Sequence, residues 1–438
     1  MRTKTIIVWC LLLSAFSQVL AQTTVTSFDE LLNLSSAKYL TLKSGDIKLS
    51  QAKKAKLAAI YGIIDPTGNL SGNYTNNTKL PVNLFPAEIL GGQPGTYKEV
   101  KLGVQYVTNF NAYADLKLIN LQGWENLRLS KINLQTTELD NKISLKNLQE
   151  NMAIVYFNIV TLQEQLKATR SNLLSADTLY QNALKKFQQG QIKQQDVNDS
   201  KVNRLNTEET IQQINYQISQ QYSALKILCD MPENEILTIN QVVSTELQTE
   251  LPTIESNNLL LNNALNKEKY AQSNLRQLRF SNLPTLSVFG SLAAQQYNTK
   301  STIFDNTVNW IPSNYVGIKM SIPIPDSRTI SQTSRAKYDY LLAQNNAEQA
   351  RIKSEIDSKQ LQLDFEKAMT NYKSHEEIFS LRKDSYQKNL LNYNQGITSL
   401  DQTLNSFNAM VNSNYQLISS AINILLSESK ININNKIK

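Results

Sequence analysis

Phe187-Gln-Gln-Gly190-Gln-Ile192-Lys-Gln-Gln-Asp196-Val197 returns later in the chain as Tyr393-Asn-Gln-Gly396-Ile397-Thr398-Ser-Leu400-Asp401, each copy with an aromatic residue three places before its glycine. Self-similarity of this kind outranks local readings, because a missed repeat misassigns the whole fold. Upstream of each copy lies a long polar-apolar helical stretch, and upstream of that an alternating strand pattern. Each half therefore reads strand, strand, long helix, glycine turn, long helix.

The strand pattern is clearest at Val316-Gly-Ile318-Lys-Met320-Ser-Ile322, where every second residue is apolar. Its counterpart is Val100-Lys-Leu102-Gly-Val104-Gln-Tyr106, ending near Phe110. Period two places Val104 and Tyr106, like Ile318 and Met320, on one apolar face. The partner strands are expected from Leu70 to Thr75 and from Thr285 to Ala293, each just after a Pro-Thr pair, Pro66-Thr67 and Pro284-Thr285. Loops rich in turn residues join the pairs, from Asn76 to Lys98 and from Asn298 to Asn314. The edge of a soluble sandwich has the same alternation, so the helices must decide.

From Met152 the apolar or small positions run Val155, Ile159, Leu162, Leu166, Leu173, Ala176, Tyr180, Ala183 and Phe187, with only Thr169 polar in the series. This is a three-four spacing, the seam of a coiled coil. The second half repeats it as Phe365, Met369, Tyr372, Phe379, Tyr386, Leu390 and Tyr393, interrupted by Glu376 and Lys383. After the turns the chain climbs back through Ile211, Ile214, Ile218, Leu225 and Leu228, and through Leu400, Leu404, Phe407, Val411, Ile418, Ala421 and Leu425. These are antiparallel helical pairs. If continuous, Ala112 to Gln189 and Asp326 to Gln395 would each extend on the order of 100 Å, a reach that suits a protein bridging a distance.

Arg2 and Lys4, an apolar stretch from Ile6 to Leu13 and Val19-Leu20-Ala21 read as a signal peptide cleaved after residue 21. Cys10 leaves with it, so Cys229 stands alone and no internal disulfide forms. No window approaches the length of an apolar membrane helix, so any membrane span must be made of strands. The formal charge of +7 is dispersed rather than clustered, apart from Lys53, Lys54 and Lys56, and no nucleic-acid motif accompanies it. His375, the only histidine, stands beside Glu376 and Glu377 and reads as solvated rather than as a metal ligand. No nucleophile elbow, phosphate-cradling loop or paired-carboxylate pocket is present in the pattern, so no enzyme, cofactor or metal is expected. Trp124 and Trp310 fall near the ends of strand regions, where aromatic girdles form.

Four strands per chain cannot close a barrel, and open edges are not tolerated in a bilayer. Copies must therefore pool their strands, giving eight, twelve or sixteen from two, three or four chains.

The order of signal peptide, strand hairpins, long helical hairpins and a glycine turn followed by an aspartate resembles the TolC-like outer-membrane efflux proteins, over nearly the whole chain. Phe187-Gln-Gln-Gly190 through Asp196-Val197-Asn198, and Leu225-Lys-Ile-Leu228-Cys229-Asp-Met-Pro232, carry the likeness. The resemblance implies a mainly α fold of long antiparallel hairpins, with four strands per chain contributing to a shared twelve-stranded barrel in a homotrimer. It implies a periplasmic tip, with Gly190, Ile192, Tyr393, Gly396 and Thr398 docking a periplasmic adaptor protein beneath an inner-membrane RND or ABC transporter. Two departures stand out. Asp401 lies five residues after Gly396 where Asp196 lies six after Gly190, so Asp401 or Gln402 takes the matching place, and Thr398 stands where some members carry a basic residue.

The expected layout is a signal peptide at 1–21, a helical equatorial segment at 22–62 and a first membrane hairpin at 63–111. A first helical hairpin follows at 112–230, with its tip near 190–196, then an equatorial segment and helix at 231–281. The second membrane hairpin is 282–325, the second helical hairpin 326–430 with its tip near 396–401, and the tail 431–438. Asp196 either caps the ascending helix or contributes to a ring of carboxylates at a pore constriction, and the two roles are compatible. Asp199 and Asp401 are the further candidates for that constriction. The expected function is a passive outer-membrane export duct reaching into the periplasm of a Gram-negative bacterium. A duct for type I protein secretion or metal-ion efflux shares this fold, and a surface coiled-coil structural protein is the rival from another class.

Overall fold

The computed structural model describes residues 22–36, 40–242, 252–303 and 307–437, so the expected signal peptide lies outside the described residues. The chain divides into two compact units, one of residues 1–47, 138–263 and 348–438, the other of residues 48–137 and 264–347.

The second unit is built on a four-stranded antiparallel sheet. Its strands are β2 (Thr67–Asn76), β5 (Tyr106–Ile119), β7 (Thr285–Asn298) and β8 (Ile311–Ser321), in the order β2-β5-β7-β8. Register aligns Leu70, Ala112, Leu292 and Asn314 across the sheet, and Leu116, Val288 and Ile318 across its last three strands. Phe110, Leu116, Leu118, Leu286, Val316, Ile318 and Met320 thus share one face. The other face carries Asn109, Asn111, Tyr113, Asp115, Ser287, Ser291 and Lys319. Tyr74 stacks on Tyr106 at 6.0 Å and Phe110 packs on Trp310 at 5.7 Å, towards one end of the strands.

Two expectations at the first hairpin need correction. Val100 to Tyr106 is not one strand: β4 (Tyr97–Lys101) pairs with β3 (Val82–Pro86) in a separate two-stranded sheet. Gly103 at φ +120 breaks the extended run before β5 begins, so Val104 lies outside the strands. Residues 112–119 are strand, not helix: Ala112, Ala114, Leu116 and Leu118 alternate with Tyr113, Asp115 and Lys117, and that period of two outweighs the helix propensity of alanine and leucine.

The first unit is mainly helical, and four of the described helices continue from one unit into the other. Numbering helices in chain order, α1 is Phe28–Ser36, α2 Leu40–Tyr61, α3 Leu121–Gln188, α4 Gln194–Leu228, α5 Leu259–Phe280, α6 Ser327–Asn394 and α7 Leu400–Lys436. The repeat is metrically close: α3 and α6 both have 68 residues, while α4 has 35 and α7 has 37. Of the expected seam, Ile159, Ala176, Ala183, Phe365, Met369, Tyr386 and Tyr393 are buried, and Phe187 is exposed. Thr169, the one polar member of the first half's series, is buried too, its hydroxyl 2.6 Å from that of Tyr415.

The main core joins Met152, Tyr156, Phe157 and Ile159 of α3 to Phe28 and Leu31 of α1, Leu225 and Cys229 at the end of α4, and Ile422 and Ile433 of α7. A parallel two-stranded sheet, β1 (Gln22–Val25) with β6 (Ile236–Ile239), contributes Val25 and Ile239 to it. Residues 431–436 continue α7 rather than forming a tail, because Ile431 and Ile433 are buried and the Asn434 and Asn435 amides donate to the Glu255 and Thr253 carbonyls.

Candidate functional site

The two glycine turns are the same structure. Gly190 has φ +72 and Gly396 φ +78, the left-handed region that glycine enters without steric cost. In the first, the Gln191 amide donates to Lys186 at 2.9 Å and the Gly190 amide to Phe187 at 2.8 Å. In the second, Ile397 donates to Asn392 at 2.9 Å and Gly396 to Tyr393 at 3.1 Å. This pair of bonds is the Schellman ending, which satisfies carbonyls that a helix terminus would leave unpaired.

The helices that follow begin differently. Lys193 caps α4, and the Asp196 carboxylate, three residues in, accepts the Lys193 backbone N–H at 3.0 Å. Ser399 caps α7, its hydroxyl accepting the Gln402 N–H at 3.3 Å. Counted from the cap, Gln402 and not Asp401 matches Asp196. Asp401 sits one place earlier, exposed, accepting the Asn405 amide at 3.2 Å. Only one turn of the pair therefore places a carboxylate at the third helical position. Asp199 is exposed one turn beyond Asp196.

The structure brings the two turns together around Tyr393. Its ring is buried with Ala183, Tyr386, Leu400 and Leu404, and Ile192 of the first turn packs on this cluster. The Lys186 ammonium lies 4.2 Å from the ring centroid and also donates to the Tyr393 carbonyl. Burial pushes the Tyr393 phenol above its ordinary pKa, and the nearby Asp196 charge adds to this. Its buried hydroxyl has no hydrogen-bond partner among the described residues. Ile397 is 71% exposed while Ile192 is packed, and Thr398 is half-buried, so the turns differ in what they offer a partner.

On the sheet, Ile318 is 71% and Met320 64% exposed on the apolar face, and Tyr106 shares that face at the start of β5. The opposite face holds a polar cluster that period counting did not single out. The buried Asp115 carboxylate accepts from the Ser287 hydroxyl at 3.1 Å and the Tyr113 hydroxyl at 3.4 Å, with the Lys319 ammonium at 3.8 Å. The signal was an aspartate inside an apolar alternation, hidden by reading that stretch as helix.

His375 departs from the solvated expectation: it is half-buried, and its Nδ1 is buried without a hydrogen-bond partner among the described residues. Among those residues no group of three or more His, Cys, Asp or Glu side chains is placed to hold a metal. No described helix is long and apolar enough to cross a membrane.

No protein-family model matches the sequence, and no curated protein matches it. Solved structures do. The outer membrane protein VceC of Vibrio cholerae superposes with a TM-score of 0.74 at 12% identity, over 92% of this chain and 95% of that one. The CmeC outer membrane channel of Campylobacter jejuni gives 0.70 at 18% identity, over 93% and 85%. CusC, described in terms of transmembrane channel formation, gives 0.74 at 15%, over 93% and 91%. The chain has the fold of these outer-membrane channels. Within this fold the glycine turns, the Asp196 carboxylate and the apolar strand face are the candidate features.

Proposed function

We propose that the chain is one protomer of a homotrimeric, non-catalytic export duct in the outer membrane of a Gram-negative bacterium, with its helical hairpins reaching into the periplasm. The carrying observation is the four-stranded antiparallel sheet, which has one apolar, solvent-facing side, one polar side and two edges unpaired among the described residues. An apolar sheet face with open edges is stable in a bilayer only when copies close it into a barrel. The polar side, with Asp115, Asn111 and Lys319, then lines a wet lumen, and Ile318 and Met320 meet lipid. The glycine turns form the tip that docks a periplasmic adaptor and an inner-membrane RND or ABC pump, and the Asp196 carboxylates ring the constriction there. The pump selects the cargo, which makes drug, protein and metal ducts variants of one reading.

The test is heat-modifiable migration of the outer-membrane fraction, followed by conductance of the purified protein in planar bilayers. A channel of discrete conductance lost on boiling is expected. Release of the protein from membranes by high salt, without conductance, would support a surface coiled-coil instead.

A further inference from the structure

We propose that the basic ends of the two helices that lead into the sheet bind anionic phospholipid headgroups in the leaflet facing the periplasm; this rests on the membrane reading above. Residues 48–61 of α2 carry Lys48, Lys53, Lys54 and Lys56 and no acid. Residues 270–280 of α5, which precedes the sheet's other hairpin, carry Arg276 and Arg279 and no acid. The repeat has thus put uncompensated cations at the same place in both halves.

That place is fixed relative to the apolar strand face. The Asn120 amide donates to the Gly62 and Ile63 carbonyls at 3.1 and 3.2 Å, and the Lys117 backbone N–H donates to Ile64 at 2.8 Å. The end of α2 therefore sits where β5 ends. Around it is a collar of exposed Tyr61, Ile64, Leu118, Ile119, Leu121 and Trp124, the amphipathic composition of a membrane interface. Measured along the helix, Lys56 and Lys53 stand about 8 and 12 Å from Tyr61. A headgroup layer is roughly 5 to 8 Å deep per leaflet, and a lysine stem extends the reach of its ammonium by several Å more.

Buried Ala52 and Ala59 mark the packed side of α2, where Lys56 is half-buried with its stem against the helix, while Lys53 and Lys54 stand exposed. None of the four lysines takes part in an ion pair among the described residues. Of the nearby acids, Asp65 pairs with Lys117 at 2.5 Å and Glu125 is buried against the Ser273 hydroxyl, while exposed Asp46 lies two residues before Lys48 on the side away from the sheet-facing end of the helix. Charge complementarity and continuity with the lipid-facing strands select an anionic lipid surface as the occupant.

The exported protein carrying Trp310→Phe, from which signal-peptide cleavage has removed Trp9, keeps Trp124 as its reporter in the collar. It is reconstituted in phosphatidylethanolamine vesicles containing a minor fraction of brominated phosphatidylglycerol or, in parallel, brominated phosphatidylethanolamine. The brominated anionic lipid should quench Trp124 about two- to fivefold more efficiently. That ratio should fall towards one in K53Q/K54Q/K56Q and at 1 M salt, where the screening length is about 3 Å, and persist in K53R/K54R/K56R. Anionic lipid retained through mild-detergent extraction, measured on the unsubstituted-tryptophan protein, should drop in the same glutamine variant. Equal quenching by the two lipids in the parent, or a preference kept in the glutamine variant, overturns the headgroup proposal. Absence of quenching by both lipids overturns the membrane reading instead.

Discussion

Asp196 and Gln402 hold the same position in the two halves and do different electrical work. Sequence counting from the glycines left Asp401 and Gln402 as alternatives, because Lys193 does not look like a helix cap and the start of α4 could not be placed from composition. At Asp196, a cap and a carboxylate ring predict different losses. Asn keeps an acceptor for the Lys193 N–H and removes the charge, so Asp196→Asn should assemble normally and lose cation preference in planar bilayers. Loss of the cap alone would cost about 1 kcal/mol and loosen the turn. Unchanged selectivity in an intact assembly would leave Asp196 a cap and move the constriction to Asp199 or Asp401. At the glycines, valine has open space for its side chain but not for its backbone angle, a strain of roughly 1 to 2 kcal/mol per site. The Gly190→Val, Gly396→Val protein should therefore crosslink poorly to an adaptor; normal crosslinking would remove both turns from the interface. Glu150 supplies a pH test. Burial raises its pKa more than Lys146 and Lys430 lower it. A carboxyl with a raised folded pKa is most stabilising below its unfolded value and loses that contribution as pH rises through the folded one. Glu150→Gln should raise the thermal midpoint at pH 7 and flatten its dependence across mildly acidic pH; a lowered midpoint would mean the lysines win.

At the scale of elements, long patterns were legible and short ones were not. The seams of α3 and α6 run for many turns, so local interruptions such as Thr169, Glu376 and Lys383 did not hide them. The helix start at Leu121 is obscured because 112–119 holds two alanines and two leucines, good helix formers, and the β3–β4 hairpin because its strands of 5 residues lie in a turn-rich stretch. Asp115 and its polar neighbours were lost with that boundary. The strand β8 offers the sharpest test of which face meets lipid. Ile318 and Lys319 are consecutive and point to opposite sides. Arginine at the middle of a lipid face costs roughly 2 to 4 kcal/mol, so Ile318→Arg should lower the unfolding free energy of the barrel, measured by urea titration in lipid vesicles, by that amount. Lys319→Arg should be close to neutral. Equal behaviour of the two variants would invert the sheet.

For the whole molecule the decisive quantity is the number of edges. The sheet order β2-β5-β7-β8 leaves the outer sides of β2 and β8 without partners, and successive antiparallel pairings make β2 and β8 run in opposite directions. The β8 of one copy can therefore pair antiparallel with the β2 of the next, and the closed ring keeps one pairing type throughout. The sequence specifies this multiple of four, because strand count per chain is local; the number of chains depends on strand tilt and shear, which no residue pattern states. Disulfides across the seam count the chains directly. Cysteines placed in turn at Asn69, Ser71 or Asn73 on β2 and at Ser313 or Tyr315 on β8 should include a pair within bonding distance, about 4 to 7 Å between Cα atoms. Within one copy the two edges are separated by two intervening strands, so oxidation must link different chains. Cys229 is fully buried and will not contribute. Under denaturing electrophoresis the best pair should give a ladder of one, two and three chains that ends there, because the third bond closes the circle without adding mass. A ladder ending at two or four chains would replace the trimer with a barrel of eight or sixteen strands. A ladder without an end would mean an open sheet, and the duct would lose its wall.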